Sequence, residues 1–155
     1  MPDLYGWLVF THVAAALVAF LAHGVSAGVA LKLTTVRERA AVQAMLEMSY
    51  TALLVFAGAL LVLVAAGTAL GFMGGYWGQA WIWISIALFV LIFLAMTPMA
   101  GMRLKPVREL LKQPASPESD AELASLLEAW RPMPTVLLGT VGLLVITWFM
   151  VVRPF

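Results

Sequence analysis

The two histidines of the chain, His12 and His23, stand eleven residues apart in a stretch without Asp, Glu, Lys or Arg. In a helix, eleven residues turn through about 1100°, only about 20° from eclipse, so both imidazoles share one face, about 16 Å apart along the axis. Imidazole can ligate haem iron or copper, or hydrogen-bond a neighbour. The two axial ligands of one haem lie about 4 Å apart, given metal–nitrogen bonds of ~2 Å. His12 and His23 of one chain therefore cannot clamp the same iron. Each could ligate a separate haem, act with a ligand of another kind or a symmetry mate, or donate to a nearby carbonyl or hydroxyl.

Methionine supplies a second candidate chemistry. Met96, Met99 and Met102 recur at i, i+3, i+6 beside Pro98, and Met45 and Met48 are expected at the same depth. Thioethers suit Cu(I); methionine is equally a filler of irregular packing. Other chemistries lack their residues. The absence of Cys excludes disulfides, iron–sulfur clusters and thiolate metal sites. No intramembrane carboxylate or ammonium group is present for a proton relay, ion coupling or voltage sensing. Phosphate-binding loops, nucleophile–base pairs and carboxylate dyads are also missing, and no basic stripe interleaved with aromatics suits nucleic acid.

The elements that must position these side chains follow from the distribution of charge. Leu4 to Leu31, Met48 to Met102 and Pro132 to Val152, of 28, 55 and 21 residues, carry no charge. At ~1.5 Å rise per residue the first and third each suit one bilayer crossing and the second suits two. Lipid offers no partner to a free backbone amide, so each crossing is helical, and long continuous apolar runs contradict a β-barrel. The chain is 63% hydrophobic and 11% charged, where a soluble domain carries roughly 25% charged residues. The expected fold is an all-α, antiparallel four-transmembrane-helix bundle in one domain, residues 1–155, with the lipid bilayer as its first partner. Its spans are about 5–33, 48–72, 80–102 and 133–152. The first has neither a basic n-region nor a small-residue cleavage site and reads as an uncleaved span.

Orientation follows from the cations. Lys32, Arg37 and Arg39 fall between spans 1 and 2; Arg103, Lys105, Arg108, Lys112 and Arg131 fall between spans 3 and 4; Arg153 alone falls on the other side. Eight against one places both charged loops in the cytoplasm and both termini outside. Tyr5, Trp7, Tyr76, Trp77, Trp81 and Trp148 then mark the outer interface, Tyr50 and Trp130 the inner one. His12 is expected roughly two turns inside the outer surface and His23 near or past the midplane. Thr34 and Thr35 should end the first helix, and Thr35-Val-Arg-Glu38 has capping-box spacing for the second. In the long loop 103–131, Pro106, Pro114 and Pro117 should prevent a continuous helix, while Ser116-Pro117 starts a short one. Its Leu123, Leu126, Leu127 and Trp130 form one apolar face, with Glu118, Glu122 and Ser125 elsewhere. An acidic helix of this kind suits packing against the bundle or a partner better than lying on headgroups. Gly24-x-x-x-Gly28 and Gly67-x-x-x-Gly71 allow close helix approach in lipid, with intramolecular packing expected ahead of dimerisation.

The segment Phe10-Thr11-His12-Val13-Ala14-Ala15-Ala16, followed by small residues to Gly28, resembles the CopD-like superfamily of four-helix bacterial inner-membrane proteins. That group includes copper-resistance membrane domains, haem-dependent protoporphyrinogen oxidases and a large set of predicted integral membrane proteins. The last set is the most similar, through Gly74-Gly75-Tyr76-Trp77-Gly78-Gln79-Ala80-Trp81, the Pro98 to Arg103 exit and Trp148. The resemblance covers most of the chain in layout. It implies a bacterial cytoplasmic-membrane location, and that His12 matches the first-span histidine that serves as a haem ligand in the oxidase branch. Phe20-Leu21-Ala22-His23-Gly24 replaces that branch's aromatic-Gly and Leu-Pro-Arg segments, and span 2 has no basic residue, so oxidase activity is not implied.

Three functions stay open. The first is a non-enzymatic accessory or assembly component of a membrane complex, with other membrane subunits or a second copy as partners. The second is a haem b or electron-transfer protein using His12 and perhaps also His23. The third is a copper-handling protein using the histidines or Met96, Met99 and Met102. None requires an enzyme, and no catalytic residue is assigned.

Overall fold

The computed structural model describes residues 3–154; of residues 97–101 it describes the backbone only. Five α-helices follow in order: α1 (Leu4–Lys32), α2 (Arg39–Met73), α3 (Ala80–Leu111), α4 (Pro117–Glu128) and α5 (Met133–Val152), with a 3-10 turn at Tyr76–Gly78 before α3. By length and composition α1, α2 and α5 can each cross a membrane, and the described apolar part of α3 is Ala80–Met96. Large apolar side chains face outward along these helices, Leu21 and Leu61 among the most exposed. That inversion of a water-soluble protein is what lipid as solvent requires.

Packing between helices at this level depends on small residues. Ala15, Ala19 and Ala22 of α1 are buried, as are Ala52, Ala59 and Ala66 of α2, spaced by sevens. An alanine seam of this period lets two antiparallel helices approach closely, where dispersion rather than hydrophobicity drives association in lipid. The α3–α5 pair uses glycine for the same purpose. The Ile92 side chain occupies the space a Cβ on Gly142 would need, and Met96 and His23 crowd Gly139. α1 packs along α2, and α3 along α5, while the two pairs touch sparingly.

The charged end is built differently. Val29, Leu33, Val42, Leu46, Leu104, Val107, Leu110, Leu123, Leu127 and Trp130 form one buried cluster from α1, α2, α3, α4 and the link after it. This is the large-residue core of a small soluble domain, capping one end of the helices. The apolar face read in α4 covers it, leaving Glu118, Glu122 and Ser125 exposed. The Ser116 and Ser119 side chains bond each other's backbone N–H groups as a capping box, and Pro117 opens the helix.

Several expectations need correction here. The long loop does not begin at Arg103, because α3 continues through Pro106 to Leu111. Proline costs a helix about 3 kcal/mol, but Leu104, Val107 and Leu110 lie on one face and are buried, at roughly 1.5–3 kcal/mol each. Burial wins. The capping box at Thr35 does not form, because α2 starts only at Arg39, beyond the reach of a cap at Thr35; the Thr35 hydroxyl donates back to the Lys32 carbonyl (3.0 Å), as that of Thr34 does to Leu31 (2.7 Å). Glu38 takes the N-cap position of α2 without a side-chain bond. Trp130 is no interfacial anchor either: it is buried, and its indole N–H donates to the Ala30 carbonyl (2.8 Å).

Arg39 fastens the cap. Its Nη2 donates to the carbonyls of Leu110, in the last turn of α3, and of Gln113, just beyond it (both 2.7 Å). Its Nη1 reaches Ser119 Oγ (3.2 Å) and Asp120 Oδ1 (3.3 Å) in the first turn of α4.

Candidate functional site

Where the two helix pairs diverge, a cleft of about 520 Å³ opens at the end opposite the cap. Its volume falls within the range of about 300–1,000 Å³ of small-molecule sites. Leu60, Leu63 and Val64 of α2 and Ile82, Ile86 and Phe89 of α3 give it apolar walls; His12, Thr68, Ser85 and Arg153 give it polar points.

His12 is held on α1 by α2. Its ring lies against Gly67, where a Cβ would stand 2.9 Å from the imidazole Cε1. Its Nδ1 is 2.9 Å from the Leu63 carbonyl oxygen. A carbonyl can only accept, so Nδ1 carries a proton, and the neutral tautomer with that bond has its lone pair on Nε2. Nε2 has no hydrogen bond among the described residues. Ligand histidines are commonly oriented in this way, with the other ring nitrogen donating to a carbonyl.

The mouth is aromatic. Gly75, with φ 65°, makes the left-handed turn that leads into Tyr76. The Tyr76 and Tyr5 hydroxyls bond each other at 2.8 Å, and the Arg153 guanidinium carbon lies 4.9 Å from the Tyr76 ring centre and 5.3 Å from that of Trp81. The bond to Tyr5, then Arg153, holds the Tyr76 phenol below its usual range. Arg153 itself has φ 49° at the end of α5. That αL conformation costs a non-glycine residue roughly 1–2 kcal/mol, which ring contacts of about 0.5–1 kcal/mol each largely offset. Trp81 was expected in an interfacial belt, but it is buried beneath this cluster. Trp77 packs against Gly71, which has no room for a Cβ. Its indole Nε1 is buried in the cleft lining with no hydrogen-bond partner among the described residues.

His23 sits elsewhere. It shares a stripe with His12 but faces α5, with Cε1 and Nε2 2.5 and 2.6 Å from the point a Cβ on Gly139 would occupy. The Met96 methyl lies 2.9 Å from that same point. The buried Nε2 of His23 also has no hydrogen-bond partner among the described residues. The structure thus joins one histidine to one methionine that sequence spacing treats separately. Met102 is on the exposed surface, and the Met99 side chain lies outside the described residues. No cluster of three or more His, Cys, Asp or Glu able to hold a metal occurs among the described residues.

Residues 7–154 match the model of a family described as predicted integral membrane protein (DUF2269). The chain belongs to the DUF2269 family. No curated protein and no solved structure matches it. Family membership agrees with the apolar helices in making this a helical membrane protein. Sequence spacing did not single out Gly139, Gly142, Ser85 or Arg153. Glycines in an apolar run carry no mark of what packs against them, and Arg153 read only as an orientation signal.

The two GxxxG segments of this DUF2269 chain also part company. Gly67 and Gly71 receive the rings of His12 and Trp77, whereas nothing among the described residues lies within 4 Å of a Cβ built on Gly24 or Gly28. The expected intramolecular packing therefore holds for the second segment, and the first shows none among the described residues.

Proposed function

We propose that the chain is a non-enzymatic, four-span component of the bacterial cytoplasmic membrane, with both termini outside, whose outer cleft holds haem b through His12. The observation that carries this reading is the His12–Leu63 hydrogen bond, which fixes the ring and leaves Nε2 as a lone-pair donor in an apolar cleft. The Trp77 N–H, buried with no partner among the described residues, and the Arg153 guanidinium would supply donors for propionates, and Met150 of α5 adds a thioether to the lining. Haem would supply one-electron chemistry; His12 would hold it, and Trp77 and Arg153 would orient it. The layout shared with the CopD-like group supports the same position for His12. Eight of nine cations at the cap end support the orientation. An accessory or assembly role in a larger complex is supported by the open face at Gly24 and Gly28, where another subunit or a second copy would pack.

The test is the visible spectrum of detergent-purified protein made with ample haem supply. We expect a Soret band that His12→Ala abolishes and His23→Ala retains. A colourless protein, or a band indifferent to His12→Ala, would defeat the reading.

A second reading, copper handling, is favoured by the meeting of His23 and Met96 over Gly139. An imidazole and a thioether together suit Cu(I). Loading with Cu(I) should then give one bound equivalent that both His23→Ala and Met96→Leu lose and Met102→Leu keeps; equal copper in all variants would exclude it.

A further inference from the structure

A second hollow, of about 620 Å³, opens at the charged end between the α1–α2 turn and the link from α4 to α5. Arg37 lines it from the turn, and Glu128 and Arg131 from the link; Leu31, Met133 and Pro134 give it an apolar side. The two arginines are held alike. Nη1 of Arg37 donates to the carbonyls of Thr34 (3.1 Å) and Val36 (2.9 Å). Nη1 of Arg131 donates to the carbonyls of Glu128 and of Trp130 (3.1 Å). Each guanidinium is thereby held by one nitrogen, and the N–H groups of Nη2 and Nε have no hydrogen bond among the described residues. No carboxylate lies within ion-pair distance of either arginine among the described residues.

Two fixed cations and one carboxylate therefore border a hollow whose apolar side continues into the lipid-facing surfaces of α1 and α5. The guanidinium fork matches phosphate oxygens. Free phosphate would leave Glu128 opposed to it and the apolar side unused. A phosphodiester followed by an ammonium group, carried on acyl chains, complements all of these features at once. We propose that this hollow binds the headgroup of a phosphatidylethanolamine-type lipid, phosphate on Arg37 and Arg131 and ammonium on Glu128. The inference rests on the orientation proposed above for its leaflet, the cytoplasmic one, and not on haem in the outer cleft.

Native mass spectrometry of the detergent-solubilised protein, given equal phosphatidylethanolamine and phosphatidylglycerol, tests it. Wild type should retain phosphatidylethanolamine in preference. Arg37→Gln/Arg131→Gln should lower that retention about tenfold or more, and Glu128→Gln should turn the preference towards phosphatidylglycerol. Glutamine keeps an N–H for the turn carbonyls, and Lys112→Gln, outside the hollow, should change nothing. The same preparations should keep whatever Soret band wild type shows, so this site and the haem reading fail separately. Wild type preferring phosphatidylglycerol, a double variant that retains lipid normally, or displacement of lipid by millimolar inorganic phosphate would each overturn the proposal.

Discussion

The two ends of this molecule solve opposite packing problems. At the charged end, leucine, valine and tryptophan from four helices fill a core that water would otherwise reach, and Arg39 staples it. At the other end the helices meet through alanine and glycine, aromatic rings line the gap, and a cleft stays open. Water drives large apolar side chains together; lipid does not, and rewards only close contact. A chain that needs one closed end and one open end can assign each to its solvent. The contrast teaches that burial at the cap reports stability, whereas burial in the spans reports geometry.

The widest separation between the two ends should appear in truncations. Leu127→Ala in the cap should cost about 2–5 kcal/mol, and Leu61→Ala on the lipid face within about 0.5 kcal/mol, by denaturant titration in detergent. Equal costs would dissolve the distinction. Next in size, Arg39→Ala should cost roughly 1.5–3 kcal/mol, because it removes charge-assisted hydrogen bonds that tie α2 to the end of α3 and the start of α4. Within the spans, Gly139→Ala forces a methyl into His23 and Met96 and should cost about 1–3 kcal/mol, while Gly28→Ala, with open space above it, should be neutral or slightly stabilising. Thermal unfolding of the pair decides whether glycine position, rather than glycine itself, matters.

The smallest effect concerns pH. Lys112 holds the exposed Glu109 carboxyl below its usual range through a 2.9 Å bond. A depressed carboxylate contributes stability above its unfolded pKa and loses it as pH falls through the folded one. The difference between wild type and Lys112→Gln should thus be slight at neutral pH and vanish in acid. A difference that grows in acid would assign the cap some other titrating contact.

Much of the architecture was legible because charge and apolar runs decide which segments lipid can accept. The helix at Ser116 and its Leu123, Leu127 and Trp130 face were legible for the same reason that soluble helices are. What escaped was set by contacts between distant segments. Nothing near Pro106 announces that Leu104, Val107 and Leu110 will be buried and carry α3 past it. Thr35 has the spacing of a cap, but α2 starts at Arg39 and leaves its hydroxyl to bond back to the end of α1. His12 and His23 share a helix face, as their spacing requires, yet one meets α2 and the other α5, because a straight stripe passes different neighbours at different heights. The unmatched role of Gly24 and Gly28 is of the same kind: their spacing licenses close approach without saying to whom.

Joining the long helices firmly at one extremity has a mechanical corollary. About 30 residues separate the fastened cap from the aromatic mouth, a lever of roughly 45 Å. A tilt of about 2° at the fulcrum would displace the far tips by roughly 1.5 Å, so a sub-ångström adjustment around Arg39 is magnified where His12 and Trp77 wait.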